Sequence, residues 1–183
     1  QDDSIAAHYA RTIAYFKQLQ PAKANKELDT LLAKEPDNPY FHELKGQMYL
    51  ETGKIAPAKK EYATALKLRP NSPLLQISYA QAILEDNPNR QETRQAIDML
   101  NQAVIKHDSG FAWLLLSRAY GLQGEIAAAN YAAAEYSLRI GAPEIALEQL
   151  KQAQKSSPSP RLAIKIDDLT AMITDLLKKR QRS

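Results

Sequence analysis

The segment whose residue types come closest to catalytic chemistry is His42-Glu43-Leu44-Lys45-Gly46. Two histidines four residues apart on one helix face, with a glutamate after the first, hold a zinc ion and activate its water. The second histidine's place is taken here by Gly46, so a ligand is missing and the segment is not read as a metal site. His8 and His107 have no such partner three or four residues on and read as surface or groove histidines. Asp167 and Asp168 are adjacent in a helical pattern. Neighbouring helical side chains point about 100° apart, so the two carboxylates read as a solvated face rather than a shared site. No glycine-rich phosphate loop, nucleophile elbow or Ser/His/Asp arrangement is visible. The chain has no cysteine, which excludes disulfides and thiolate zinc sites. No catalytic residue, metal ligand or cofactor is assigned to this chain.

The elements around these residues follow a period of 34. Pro36 recurs as Pro70, Pro39 as Pro73, Tyr15 as Tyr49, Ala24 as Ala58 and Leu28 as Tyr62. A 34-residue period with small residues, aromatics and a closing proline in register resembles the tetratricopeptide pattern of paired antiparallel helices. Gly46 and Ala58 fall where two helices of a pair touch, Tyr49 and Tyr62 where a pair meets its neighbour, and Pro70 ends the second helix by withholding a backbone donor. The third unit is stretched, because its small residue Ala96 comes 38 after Ala58. The fourth carries Trp113, Leu116, Tyr120, Gly124 and Ala129, and a further pattern overlaps it through Ala134, Gly141, Ala146, Leu150, Ala153 and Pro158.

The expected fold is all-α, a tetratricopeptide-like superhelical solenoid of about ten antiparallel helices: 4–18, 22–34, 39–52, 55–68, 73–85, 90–106, 110–122, 125–139, 143–155 and 160–179. The reading is one array over residues 1–183, with repeats near 5–38, 39–72, 73–109, 110–141 and an overlapping 127–160. Asn38, Ser72 and Ser159 precede prolines and are expected N-caps. Helix 160–179 has the apolar stripe Ile164, Leu169, Ile173, Leu176, Leu177 and is expected to cap the array, with Lys178-Lys179-Arg180-Gln181-Arg182 favourably placed at its C-terminus. That stripe is also a candidate self-association face.

Composition agrees with this. Hydrophobic residues are 44% and charged residues 25%, and glycine is rare at 6. The net charge of +3 lacks the continuous basic stripe and aromatic platforms of a nucleic-acid surface. Lys54, Lys59, Lys60, Lys67 and Arg69 read as an ordinary charged outer face. No apolar run approaches the roughly 18 residues of a membrane span. The start Gln1-Asp2-Asp3 carries no signal peptide or initiator methionine, as expected of a processed or excised chain.

Function is expected on the concave face lined by the first helix of each pair. The repeat register projects Tyr9, Ile13, Phe16 and Lys17 inward from the first unit, and Tyr40, Glu43, Gln47 and Glu51 from the second. Ile77, Gln81 and Glu85 follow from the third, and Leu114 and Arg118 from the fourth. The mixture of aromatic, apolar and amide groups suits a peptide. Tyr9 and Ile13 occupy the places where a carboxylate clamp would need basic or amide groups, so a clamp for a chaperone tail is not expected.

Asn38-Pro39-Tyr40-Phe41-His42-Glu43-Leu44-Lys45-Gly46-Gln47 with Glu51-Thr52-Gly53 is more specific than a generic repeat. With Ser72-Pro73-Leu74-Leu75, Phe111-Ala112-Trp113, Ala119-Tyr120-Gly121 and Ile166-Asp167-Asp168, it resembles the C-terminal repeat region of bacterial periplasmic zinc metallopeptidases of the beta-barrel assembly-enhancing protease type. The resemblance implies a periplasmic location and a parent with a separate zinc peptidase domain; zinc is expected only there. It also implies a non-catalytic role here, recruiting substrate, outer-membrane protein assembly machinery or the chain's own peptidase domain in outer-membrane protein quality control. The alternative is a free-standing adaptor in envelope assembly or secretion.

Overall fold

The computed structural model describes residues 2–180. Among them are ten α-helices: α1 (Ile5–Lys17), α2 (Pro21–Lys34), α3 (Pro39–Glu51), α4 (Ile55–Leu68), α5 (Pro73–Glu85), α6 (Arg90–Lys106), α7 (Gly110–Gln123), α8 (Ile126–Arg139), α9 (Pro143–Lys155) and α10 (Pro160–Arg180). Gln181 and Arg182 of the basic tail lie outside the described residues.

The helix boundaries follow from local chemistry. Proline opens α2, α3, α5, α9 and α10, where a missing backbone donor costs nothing. Asn38 accepts a hydrogen bond from the Tyr40 amide at 3.0 Å and Ser72 one from Leu75 at 3.5 Å. Ser159 accepts one from Leu162 at 3.4 Å, so all three expected caps form. Positions 19, 53 and 87, each 34 apart, share the left-handed backbone region with φ of 57°, 73° and 46°. The residues there are Leu, Gly and Asn, so the turn geometry of the repeat persists even where its glycine does not. Three of the four extra residues of the third unit go into α6, which has 17 residues against 14 in α2 and α4, and the fourth into the turn before it. A capping box closes its start: Asn89 accepts from Glu92, and the Glu92 carboxylate accepts from the Asn89 amide.

The chain forms two compact units, residues 1–87 and 88–183. In the first, α1 pairs with α2 and α3 with α4, and α5 packs on α3 and α4. Its core includes Ala24, Leu28, Leu31, Phe41 and Met48, and beside them Ala58, Tyr62 and Ala82. Tyr62 lies against Gly46; a Cβ built on that glycine would sit 3.0 Å from two ring carbons. In the second unit each helix packs on the next from α6 to α10. Ala134, Ala146, Leu150, Ala153, Ile166, Leu169 and Ile173 form a core there, and α10 belongs to it.

Candidate functional site

The repeat register places thirteen residues on a binding face, and the structure brings five of them, Glu43, Gln47, Glu51, Gln81 and Glu85, together. These line one depression of about 410 Å³ in the first unit, with Leu50, Tyr62 and Ser78. Helix α3 supplies Glu43, Gln47, Leu50 and Glu51, and α5 supplies Ser78, Gln81 and Glu85. Both helices place these side chains one turn apart, so each presents a continuous row. Tyr62 comes from α4 beneath and is buried.

The 34-residue period continues into the site. Gln47 donates Nε2 to the Glu51 carboxylate at 2.7 Å, and Gln81 donates to Glu85 at 2.8 Å. Each pair spends an amide donor internally and keeps an amide oxygen and most of the carboxylate lone pairs. Glu43 makes no hydrogen bond or ion pair among the described residues. Burial raises its carboxyl above the usual range, against a smaller opposing pull from Arg69. Burial also raises the Tyr62 hydroxyl, and the charges of Glu43, Glu51 and Glu85 add to the effect. That hydroxyl bonds with Ser78. The site is therefore an acceptor-rich, negatively charged slot with a neutral phenol at its base.

The other predicted residues lie elsewhere or do other work. Tyr9 is exposed and tilts against the Phe41 ring, with centroids 6.5 Å apart. Ile13 is half-buried, and Phe16 packs on the core cluster of the first unit. Tyr40 is exposed; the Arg69 guanidinium lies 5.0 Å from its ring centroid and donates to its hydroxyl at 2.5 Å. Ile77, projected inward by the register, is 6% exposed and belongs to the core. Leu114 and Arg118 are exposed on α7 in the second unit. Ser78 and Leu50 were not anticipated, because the register assigns them no inward position.

One histidine reading needs correction, that of His8, while His107 is exposed as expected. His8 is 7% exposed rather than a surface group. Its Nδ1 lies 2.5 Å from Glu27 and its Nε2 2.7 Å from Asp3. His42 repeats the arrangement 34 residues later, with Nδ1 2.7 Å from Glu61 and Nε2 2.8 Å from the Pro36 carbonyl. Gln76 comes next in the period and donates Nε2 to the Pro70 carbonyl at 3.3 Å. These side chains tie each first helix to the loop before it, and His8 and His42 tie it also to the helix that follows. Among the described residues no group of three His, Cys, Asp or Glu is placed to share a metal ion, and no helix is long and apolar enough to cross a membrane.

Comparison with known proteins agrees with the helix pairing. Residues 9–73 match the tetratricopeptide repeat family model. The chain is 30% identical over 115 residues to the beta-barrel assembly-enhancing protease of Escherichia coli K12, an alignment covering 62% of this chain and 23% of that protein. The same protease from Shigella flexneri matches equally. The chain thus spans about a quarter of the length of these curated relatives. Among solved structures it is similar to MamA, with a TM-score of 0.71 at 18% identity over 96% of this chain and 94% of that one. It is also similar to PilW, described as a type IV pilus biogenesis factor, with a TM-score of 0.52 at 14% identity over 98% and 93%. Identities this low speak to fold alone. The chain has the fold of a tetratricopeptide array, and residues 9–73 carry the tetratricopeptide repeat itself.

Proposed function

We propose that this chain is a polypeptide-binding scaffold whose first unit grips a basic segment of its partner in the slot between α3 and α5. The carrying observation is the repeated pair Gln47–Glu51 and Gln81–Glu85, which together with Glu43 offers acceptors and negative charge to whatever enters. A lysine or arginine side chain supplies the donors and the charge. Backbone N–H groups of an extended segment meet the amide oxygens in the same way.

Fluorescence anisotropy with a labelled arginine-containing peptide tests this. The full chain binds it more tightly than the same peptide with glutamate in place of arginine, and added salt weakens the complex. Glu51 and Glu85 are exposed, so Glu51→Gln with Glu85→Gln leaves the fold intact and weakens binding about tenfold, at roughly 1.4 kcal/mol. Equal affinity for the two peptides, or no effect of the double substitution, overturns the reading.

We further propose that the chain is the non-catalytic repeat region of a periplasmic zinc metallopeptidase, recruiting substrate or outer-membrane assembly partners. The 115-residue similarity to the beta-barrel assembly-enhancing protease supports this. Sequencing the gene upstream of Gln1 tests it. An in-frame His-Glu-x-x-His segment is expected; a stop codon or a lipobox signal there would favour the free-standing adaptor instead.

A further inference from the structure

The second unit has a groove of its own, unrelated to the register of inward first-helix residues. It measures about 670 Å³ and runs between α6, α7, α8 and the start of α10. Its apolar lining comes from Val104 and Ile105 of α6, Trp113 and Tyr120 of α7, Tyr131 of α8 and Leu162 of α10. Ile105 is 84% exposed, a large apolar side chain left in water at the lip of a concave surface.

The polar groups around this groove are unequally satisfied. Tyr120 accepts from Asn101 at 2.9 Å. Tyr131 donates to Glu135 at 2.7 Å, and Arg139 pairs with the same carboxylate at 2.6 Å, so Glu135 is consumed. Glu125 remains beside Tyr120. Arg161 and Lys165, four residues apart on α10 and flanking Leu162, make no hydrogen bond or ion pair among the described residues. Arg161 stands in the first turn of that helix, where the backbone dipole adds positive potential. Trp113 keeps a buried indole N–H with no acceptor. One edge of an aromatic and aliphatic groove thus carries two unanswered cations.

We propose that this groove is a second docking site, for a polypeptide segment that alternates apolar side chains with carboxylates. The apolar side chains pack against Ile105 and Leu162, and the carboxylates meet Arg161 and Lys165. The site takes charge opposite to that taken by the slot in the first unit, so the two do not compete for one ligand.

The test uses the full chain and a short fluorescent peptide of leucine, phenylalanine and glutamate. Control peptides carry lysine for glutamate, or serine for the apolar residues. The glutamate peptide binds, and both controls bind at least tenfold more weakly. Arg161→Glu with Lys165→Glu weakens the glutamate peptide at least tenfold and gives the lysine peptide the advantage. Ile105→Asp, at a position too exposed to affect folding, also weakens the glutamate peptide. Glu51→Gln with Glu85→Gln, in the other unit, leaves its affinity unchanged. Binding unaffected by the α10 charge reversal, or equal binding of the lysine and glutamate peptides to the unaltered chain, overturns the proposal.

Discussion

Replacing Gly46 by alanine tests the packing that sets the floor of the acidic slot. Helix propensity alone predicts a gain of about 1 kcal/mol, since glycine is a poor residue mid-helix. The structure predicts the opposite sign. The added Cβ would lie 3.0 Å from Cδ1 and Cε1 of Tyr62 and 3.1 Å from Cγ, well inside the roughly 3.5–4.0 Å of carbon contacts. The ring is 2% exposed and clustered with Ala58 and Ala82, so packing resists its retreat. Overpacking of this kind costs about 1–3 kcal/mol. Set against the propensity gain, the net loss is about 1 kcal/mol, or a fall in Tm of about 4–8 °C for a unit of this size. Thermal melts followed by circular dichroism measure it. In a Tyr62→Leu background the clash disappears and Gly46→Ala becomes stabilising, a sign reversal a double-mutant cycle isolates. A rise in Tm from Gly46→Ala in the otherwise unaltered chain would refute the reasoning.

Three further outcomes follow from particular residues. Glu43 has a raised carboxyl, so folding favours its protonated form, and the penalty of ionising it in place grows as pH rises through the folded value. Glu43→Gln should therefore raise Tm at neutral pH, with the gain disappearing at pH values below the unfolded carboxyl range, while arginine-peptide affinity falls. Leu19 holds φ 57° and is 88% exposed where the next repeat has Gly53. Leu19→Gly should raise stability by up to about 1 kcal/mol in chemical denaturation, since the left-handed strain exceeds the entropy that glycine adds to the unfolded chain. Ile173 is fully buried in the core shared by α8, α9 and α10. Ile173→Ala should cost about 2–5 kcal/mol in the same assay, and a loss near zero would mean that α10 is not integral to the second unit.

The helix pattern was legible because its punctuation is chemical. Prolines at 21, 39, 73, 143 and 160 each open a helix, and Gly53, Gly124 and Gly141 mark left-handed turns that side chains disfavour. The 34-residue period also located Glu43, Gln47, Glu51, Gln81 and Glu85, which one depression unites. Ile77 belongs to the core and Phe16 is shared between core and surface for a common reason. An apolar residue at an inward register position packs on its own unit as readily as it faces a ligand, and the spacing is the same in both cases. Buried His8 reads from the sequence as a surface or groove histidine because its partners Asp3 and Glu27 lie on opposite sides of it in the chain, joined only by the fold. The groove of the second unit went unseen because Ile105, Trp113, Tyr131 and Lys165 come from four helices where the period has already drifted.

The most direct measurement of the central claim is a nitrogen–proton NMR titration of the full chain with the arginine peptide. Binding in the slot predicts saturable shifts at the backbone or side-chain amides of Gln47, Glu51, Gln81 and Glu85, on the rows that α3 and α5 present to it. Shifts confined to the outer face of α4, at Lys60 and Lys67, or no saturable shifts at all, would contradict it.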